Sequence, residues 1–299
     1  METCILLSTC DKYADLAELT VDLIHQLWKD HPPIYVCGMS LPCRNDVSML
    51  PLNEDPRDWI GIIESAAQQL IDKGCRKCYL ILDDHPPLKS CNEMHLNITL
   101  PALMDNLGAA YIGLHGWDQN TLSDGKVLGN KYHYLQKQST SFLWQYALHP
   151  ALWDTQALKD IAGALLKIEN DVSSRSIWAF ERRSGATPSP VPLRWQGRAY
   201  RVFGLGMLGG KFRTIRRFFR RFLYLFLNFL FWITKKIFGL VTQERLVNFV
   251  IHETLFFDGP YPMYWSGVMQ KGRLNKNLEK YLLVHRRRGD LSLIKDTLQ

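Results

Sequence analysis

The chain has 299 residues, of which 46% are hydrophobic and 22% are charged. This length and balance indicate a folded globular protein and exclude a disordered or fibrous one. The formal net charge is +7, but residues 211–236 hold eight basic side chains and no acidic one, and subtracting those eight leaves −1. The basic character therefore belongs to one segment and not to the body of the protein.

The N-terminal sequence METCILL has no basic stretch followed by a long apolar run. We therefore expect no secretory signal. The seven cysteines form an odd set, and Cys75-x-x-Cys78 is a single pair without a second, so zinc and redox roles are not favoured. Cysteine use of this kind predicts a reducing cytoplasm.

The first third of the chain alternates between strand and helix patterns. In chain order these are a strand at Cys4–Thr9, a helix at Asp15–Trp28, a strand at Ile34–Gly38, a helix at Asp58–Lys73 closed by Gly74, and a strand at Lys77–Leu82. Such alternation predicts an α/β protein with a Rossmann-like, mostly parallel sheet and helices on both faces.

The pattern continues less regularly in the second third. We predict a strand at Tyr111–Leu114, a polar loop over residues 119–132, and a strand at Phe142–Leu148. Asp154 is placed to cap a helix that runs to about Glu169. Arg182–Gly197 has the composition of a linker.

The strand at Lys77–Leu82 ends in a distinctive corner, Asp83-Asp84-His85, and two prolines follow. Ligands of open α/β sheets gather outside the carboxyl ends of the strands. Two adjacent carboxylates repel each other unless a cation lies between them. The corner therefore predicts a divalent metal that carries a diphosphate; the alternative is an ordinary solvated turn.

A basic and aromatic segment begins at Lys211 and reads KFRTIRRFFRRFLYLFLNFLFWITKKIFGL. Arginines share one helical face and aromatic residues share the other: Arg213, Arg216, Arg217, Arg220 and Arg221 against a set that includes Phe218 and Phe222. The uninterrupted apolar run has 13 residues, whereas a helix that crosses a bilayer needs about 20. The pattern predicts a helix that lies on an anionic membrane surface.

The pattern of this segment admits two other interpretations. A core or oligomer-interface helix is opposed by the arginines, which resist burial. Nucleic-acid binding also combines basic and aromatic residues, but the apolar residues that follow would have no role there. We expect no nucleic-acid partner.

Four motifs, taken in order, suggest a family. ILLSTCDKY, YLILDDHPP, YALHPALWD and IWAFE resemble bacterial nucleotide-sugar-dependent glycosyltransferases with the GT-A fold. The resemblance covers about residues 1–200, and the motif YWSGVMQKGRLN near the C-terminus shows a weaker similarity. We accordingly expect a GT-A-like catalytic domain over 1–200, a membrane-associating segment over 201–245, and a segment over 246–299 that packs back on the catalytic domain.

The resemblance implies roles on the donor side of the site. Asp83, Asp84 and Asp11 would bind the nucleotide sugar, although Asp11 could instead cap the helix that follows it. Asp83, His85 and His252 (or Glu253 in place of His252) would bind a divalent cation, Mn²⁺ or Mg²⁺. His85 replaces the acid that ends the family's metal motif, and an imidazole suits Mn²⁺ better than Mg²⁺.

The resemblance also implies roles on the acceptor side. Glu181 would be the general base of an inverting enzyme, and an ion pair with Arg182 or Arg183 is its alternative. His149, Trp153 and Trp178 would line the acceptor pocket. The alternative for His149 is a structural role, and the alternative for each tryptophan is a place in the core.

The expected function is transfer of a sugar from a nucleotide-sugar donor to a lipid-linked or surface-glycan acceptor. The expected location is peripheral, on the cytoplasmic face of the inner (plasma) membrane. The alternative is a non-catalytic peripheral membrane protein that uses a nucleotide-binding scaffold.

Overall fold

The structure is a computed structural model. It describes residues 2–40, 44–88, 90–114, 127–128, 135–138, 145–186, 188–202, 229–230, 232–233, 236–237, 260–263, 267–270 and 273–274.

The described residues form five α-helices and eleven strands. The strands are β1 (Thr3–Ser8), β2 (Ile34–Cys37), β3 (Ser48–Met49), β4 (Lys77–Leu82), β5 (Tyr111–Gly113), β6 (Val127–Leu128), β7 (Leu135–Lys137), β8 (Ala151–Asp154), β9 (Ala199–Val202), β10 (Met269–Gln270) and β11 (Arg273–Leu274). The helices are α1 (Ala14–Leu27), α2 (Trp59–Asp72), α3 (Leu100–Leu107), α4 (Thr155–Leu166) and α5 (Ile177–Ser184).

One mixed sheet organises the described residues, with strand order β3-β2-β1-β4-β8-β5-β9-β7-β6. Neighbouring pairs are parallel in the first four strands, and β8 enters antiparallel between β4 and β5. Strand β9 is parallel to β5, and β7 is antiparallel to both of its neighbours, β9 and β6. Only β8 and β7 are therefore reversed, and the other seven of these nine strands run in one direction. The predicted α/β class and mostly parallel sheet are confirmed.

Helices cover both faces of this sheet. Alternate residues of β1 point to opposite sides, with Leu6 in the apolar cluster under α2, α4 and α5, and Leu7 in the cluster that includes α1 and α3 residues. Burial on both faces explains why β1 and β4 are apolar runs with no polar alternation. The long helices begin at side-chain caps: Asp58 accepts from the Gly61 N–H and Asp154 from the Ala157 N–H.

The structure differs from the sequence prediction at several points. Val127–Leu128 form strand β6, although they lie inside the loop predicted over residues 119–132. Residues 145–148 form a turn, because the Leu148 N–H is donated to the Glu181 carboxylate and not to a neighbouring strand; the strand is Ala151–Asp154 instead. The stretch expected to be a linker is packed: α5 extends to Ser184, and Trp195 donates its indole N–H to Asp160 at 2.6 Å.

Candidate active site

Asp83 follows β4 at the carboxyl edge of the sheet, beside the end of β1. Its N–H donates to the Ser8 carbonyl at 3.1 Å, which continues the β1–β4 ladder by one bond. Thr9 Oγ1 donates to Asp83 Oδ2 at 2.7 Å, and Thr20 Oγ1 donates to the Asp83 carbonyl at 2.5 Å. Thr9 therefore holds the Asp83 carboxylate and Thr20 of α1 holds its backbone, at the edge where ligands of such sheets bind.

The Asp83 carboxyl group titrates close to neutral pH. Burial raises its pKa from 3.8 to about 7, and the charge of the adjacent Asp84 adds to the increase, while the Thr9 hydrogen bond and His85 oppose it. The two neighbouring acids thus repel each other in the folded protein. A bound cation would remove that repulsion and favour the charged form of both.

Asp84 and His85 form a pair within the corner. His85 Nδ1 lies 2.7 Å from Asp84 Oδ1, and the His85 side chain is buried. Burial alone lowers the pKa of His85, but the close Asp84 carboxylate, together with the charges of Asp83 and Glu181, outweighs that effect, and the net pKa is raised. The imidazole ring is 5.3 Å from the ring of His149, edge to face. The structure therefore brings His149 to the corner.

Glu181 approaches the corner from α5. Its side chain is buried, and Oε1 accepts the Leu148 N–H at 2.7 Å. Burial raises its pKa, while that hydrogen bond and the positive charges of Arg201 and His85 oppose the increase. The neighbouring arginines are engaged elsewhere, since Arg183 Nε donates to Glu169 at 2.7 Å and Arg182 Nε to the Trp178 carbonyl.

Arg201 is a site neighbour that the sequence analysis did not identify. It lies on β9, it is buried, and it interacts with Glu181 and with Tyr111 of β5. Burial lowers its pKa, and both partners oppose that decrease. An arginine inside a buried strand, in the stretch Ala199-Tyr200-Arg201-Val202, was the signal available in the sequence.

Asp11 begins a short 3₁₀ turn (Asp11–Tyr13) after β1, at the same edge of the sheet. Its carboxylate accepts from the Ser40 N–H at 2.8 Å and from Ser40 Oγ at 2.6 Å. Asp11 thus connects the loops that follow β1 and β2. This contact differs from the helix cap that was its alternative role.

The two predicted pocket tryptophans lie in different environments. Trp153 on β8 is fully buried, stacked on Tyr146 with ring centroids 5.6 Å apart, and edge to face with Tyr111 at 4.9 Å. Trp153 therefore packs in the core, which is the alternative role that the sequence offered for it. Trp178 lies on α5 three residues before Glu181 and is 63% exposed, so its ring is available to a ligand.

The remaining predicted residues lie outside the described part of the chain: His252 and the membrane set Arg213, Arg216, Arg217, Phe218, Arg220, Arg221 and Phe222. Within the described ranges, no three His, Cys, Asp or Glu side chains are grouped as a metal site. A ligand set of Asp83, His85 and His252 stays a prediction. Among the helical residues described, none belongs to a helix long and apolar enough to cross a bilayer.

No protein-family model and no curated protein sequence matches the chain. It is similar in structure to the galactosyltransferase LgtC in complex with donor and acceptor sugar analogs, at 12% identity and TM-score 0.34 over 68% of this chain and 87% of that one. It is also similar to S. aureus TarS 1-349 (10% identity, TM-score 0.36, 97% and 73% covered). A third is mannose-1-phosphate geranyltransferase from Thermus thermophilus (10% identity, TM-score 0.33, 68% and 74% covered).

These similar structures include a glycosyltransferase, the class that the sequence resemblance named. TM-scores of 0.33 to 0.36 describe loose superpositions, so they carry no argument about residues or chemistry. The fold and site themselves define an α/β protein with an acidic corner, a buried glutamate and two histidines at the carboxyl edge of its sheet.

Proposed function

We propose that the protein is a nucleotide-sugar-dependent glycosyltransferase. The observation that carries the proposal is the convergence of two kinds of acid at one edge of the sheet. Asp83 and Asp84 follow β4, and Glu181 of α5 interacts electrostatically with His85 of the same corner. Acids that bind a phosphate-bearing cation and an acid that accepts a proton are the groups that sugar transfer requires.

The corner fits a divalent cation by its chemistry. Carboxylate oxygens are the ligands that Mg²⁺ prefers, and an imidazole nitrogen is added where Mn²⁺ binds. Asp83 and Asp84 would hold the ion, whose chemistry is to neutralise the negative charge that develops on the departing diphosphate. The pKa of Asp83 is raised mainly by burial and further by the charge of Asp84, and a cation at the corner would offset both effects.

Glu181 is the proposed general base. Its raised pKa makes its carboxylate a stronger proton acceptor than an exposed glutamate. It would take the proton of the acceptor hydroxyl as that oxygen bonds to the anomeric carbon, while the carbon–oxygen bond to the diphosphate breaks and the electron pair leaves with the diphosphate. Attack from the face opposite the leaving group inverts the anomeric centre.

A lipid-linked or surface-glycan acceptor is part of the proposal, and so is a peripheral location on the cytoplasmic face of the inner membrane. Both are supported by the sequence pattern of residues 211–236. The side chains of Phe229 and Trp232 are more than half exposed, and Lys236 lies 4.5 Å from the Trp232 ring centroid. Such amphipathic groups suit a membrane interface.

Nucleotide binding tests the enzymatic proposal. Calorimetry with UDP, GDP, CDP and ADP, each with and without Mn²⁺, should show binding of one nucleotide that depends on the cation. Asp83→Ala should abolish the cation-dependent part, and Asp72→Ala, which removes an acid at the end of α2, should leave it intact. Absence of any cation-dependent nucleotide binding by the unmodified protein would favour the non-catalytic scaffold.

Vesicle sedimentation tests the location. Anionic vesicles of phosphatidylglycerol and phosphatidylcholine should bind the protein, and vesicles of phosphatidylcholine alone should not. Reversing Arg216, Arg217 and Arg220 to Glu should weaken binding about 100-fold or more, at about 1 kcal/mol for each lost basic residue. Reversing the exposed Lys29, Lys73 and Lys167 is the matched control. Equal losses in the two triple variants would contradict a role for this segment.

A further inference from the structure

Residues from near the C-terminus contact the acidic corner through their backbone. We call residues 260–263 and 267–268 the returning segment. The Asn92 N–H donates to the Pro260 carbonyl at 2.9 Å and the Leu88 N–H to the Pro262 carbonyl at 2.7 Å. The Val268 N–H donates to the Asp84 carbonyl at 2.6 Å. The loop after β4 is therefore held on its outer side by residues far along the chain.

Tyr261 anchors the returning segment in the core. It is fully buried and packs edge to face on Trp28, with ring centroids 6.2 Å apart. Its hydroxyl donates to the His85 carbonyl at 3.0 Å. Two successive carbonyls of the corner are thus hydrogen-bonded, that of Asp84 to Val268 and that of His85 to Tyr261.

Gly267 lies directly against the Asp84 carboxylate. Its φ is +73°, in the left-handed region that favours glycine. A Cβ at this position would lie 2.5 Å from Asp84 Oδ2 and 3.1 Å from the Asp84 carbonyl oxygen. Any side chain here would have to displace the carboxylate or the corner, because contacts under 3.0 Å are not tolerated.

The position of Asp84 decides the position of His85. Asp84 Oδ1 is 2.7 Å from His85 Nδ1. If the Asp84 carboxylate moves, the His85 ring loses this contact. We propose that Gly267 and Tyr261 are positioning residues for the active site, which set the Asp84 carboxylate and, through it, the His85 ring. The proposal builds on the transferase assignment but is tested independently of it.

The first readout needs no ligand. In a ¹⁵N-edited spectrum of the histidine side chains, the Nδ1 signal of His85 is identified by its loss in His85→Gln. Gly267→Ala should shift this signal. Gly74→Ala, which places alanine at a similar φ of +80° after α2, should not. Tyr261→Phe deletes only a hydroxyl, and it keeps the test decisive if Gly267→Ala fails to fold; it should also shift the signal.

The second readout is a double-mutant cycle by urea unfolding. Gly267→Ala should raise the unfolding equilibrium constant about tenfold through backbone strain and about a further tenfold through the clash with Asp84. In an Asp84→Ala background most of the second factor should disappear, since the 2.5 Å contact with Oδ2 is removed and only the 3.1 Å contact with the carbonyl oxygen is left. Effects that simply add, together with an unmoved His85 signal, would overturn the positioning role.

The third readout concerns function. Mn²⁺-dependent nucleoside diphosphate affinity should fall about tenfold to 100-fold in Gly267→Ala, as it does when a partner of a metal-binding group is disturbed, and should be unchanged in Gly74→Ala. If the unmodified protein binds no nucleotide while the signal shift and the cycle are observed, the positioning role stands and the transferase proposal fails. Unchanged affinity in Gly267→Ala would refute the functional part of the positioning role.

Discussion

Replacing Asp83 by asparagine should change stability by an amount that depends on pH. The pKa of Asp83 is about 7 in the folded protein, against an ordinary value of 3.8. Between these values the folded state holds a proton that the unfolded state has lost, so stability falls as pH rises. Each pH unit in this window changes the free energy of unfolding by about 1.4 kcal/mol, because the two states differ by one bound proton.

The two units between about pH 5 and about pH 7 thus correspond to about 3 kcal/mol of lost stability. Because the side chain of Asp83 is partly exposed, we expect about half of that, roughly 1.5 kcal/mol. The asparagine of Asp83→Asn would keep a carbonyl oxygen for the Thr9 hydroxyl, which donates to Asp83 Oδ2, and it has no charge to desolvate. The variant should therefore be the more stable protein at about pH 8, and its advantage should be about 1.5 kcal/mol smaller near pH 5.

Urea unfolding at these two pH values, with and without Mn²⁺, measures the difference. Mn²⁺ should stabilise the unmodified protein at about pH 8, where the carboxylate is charged, and should stabilise Asp83→Asn much less. Thr9→Val is a control that removes the hydrogen bond and leaves the carboxyl group. A free-energy difference between the two proteins that does not change with pH would refute the reasoning.

Two further predictions concern the edge of the sheet. Glu181→Gln should lower kcat about 100-fold to 10,000-fold and leave nucleotide affinity unchanged, because the amide oxygen can still accept the Leu148 N–H but cannot take a proton. Steady-state kinetics with an identified donor measure this, and a change in KM with an unchanged kcat would argue against a general base. Gly38→Ala should lower the free energy of unfolding by about 2–4 kcal/mol, because φ is +88° and the new Cβ would lie 2.3 Å from the Thr9 carbonyl oxygen. Thermal unfolding measures this, and an unchanged Tm would contradict the close contact.

Local features of the sequence were sufficient for the elements that precede the site. The strand Lys77–Leu82 was predicted with the bounds that the structure shows, since six buried residues end at two acids and two prolines. The sequence predicts the helices capped by Asp58 and Asp154, because in each a capping residue directly precedes apolar residues at helical spacing.

One assignment that failed depended on a distant partner. Residues 145–148 have strand composition, yet the Leu148 N–H bonds to Glu181, 33 residues later. The short strand Ala151–Asp154 takes its place because β4 and β5 offer it two antiparallel neighbours at once. Neither partner can be read from the local pattern, since a four-residue strand is stabilised by its neighbours and not by its own propensity.

What the sequence determined by itself is the chemistry at the end of β4 and its placement at the carboxyl edge of an α/β sheet. Only the tertiary structure decided which groups meet there. Glu181, Arg201 and the bare Cα of Gly267 come to the corner from distant elements. The physical reason is the distance along the chain over which the interactions act. Strands and caps are specified by residues close in sequence, whereas burial, pKa shifts and close contacts depend on elements that only the fold brings together.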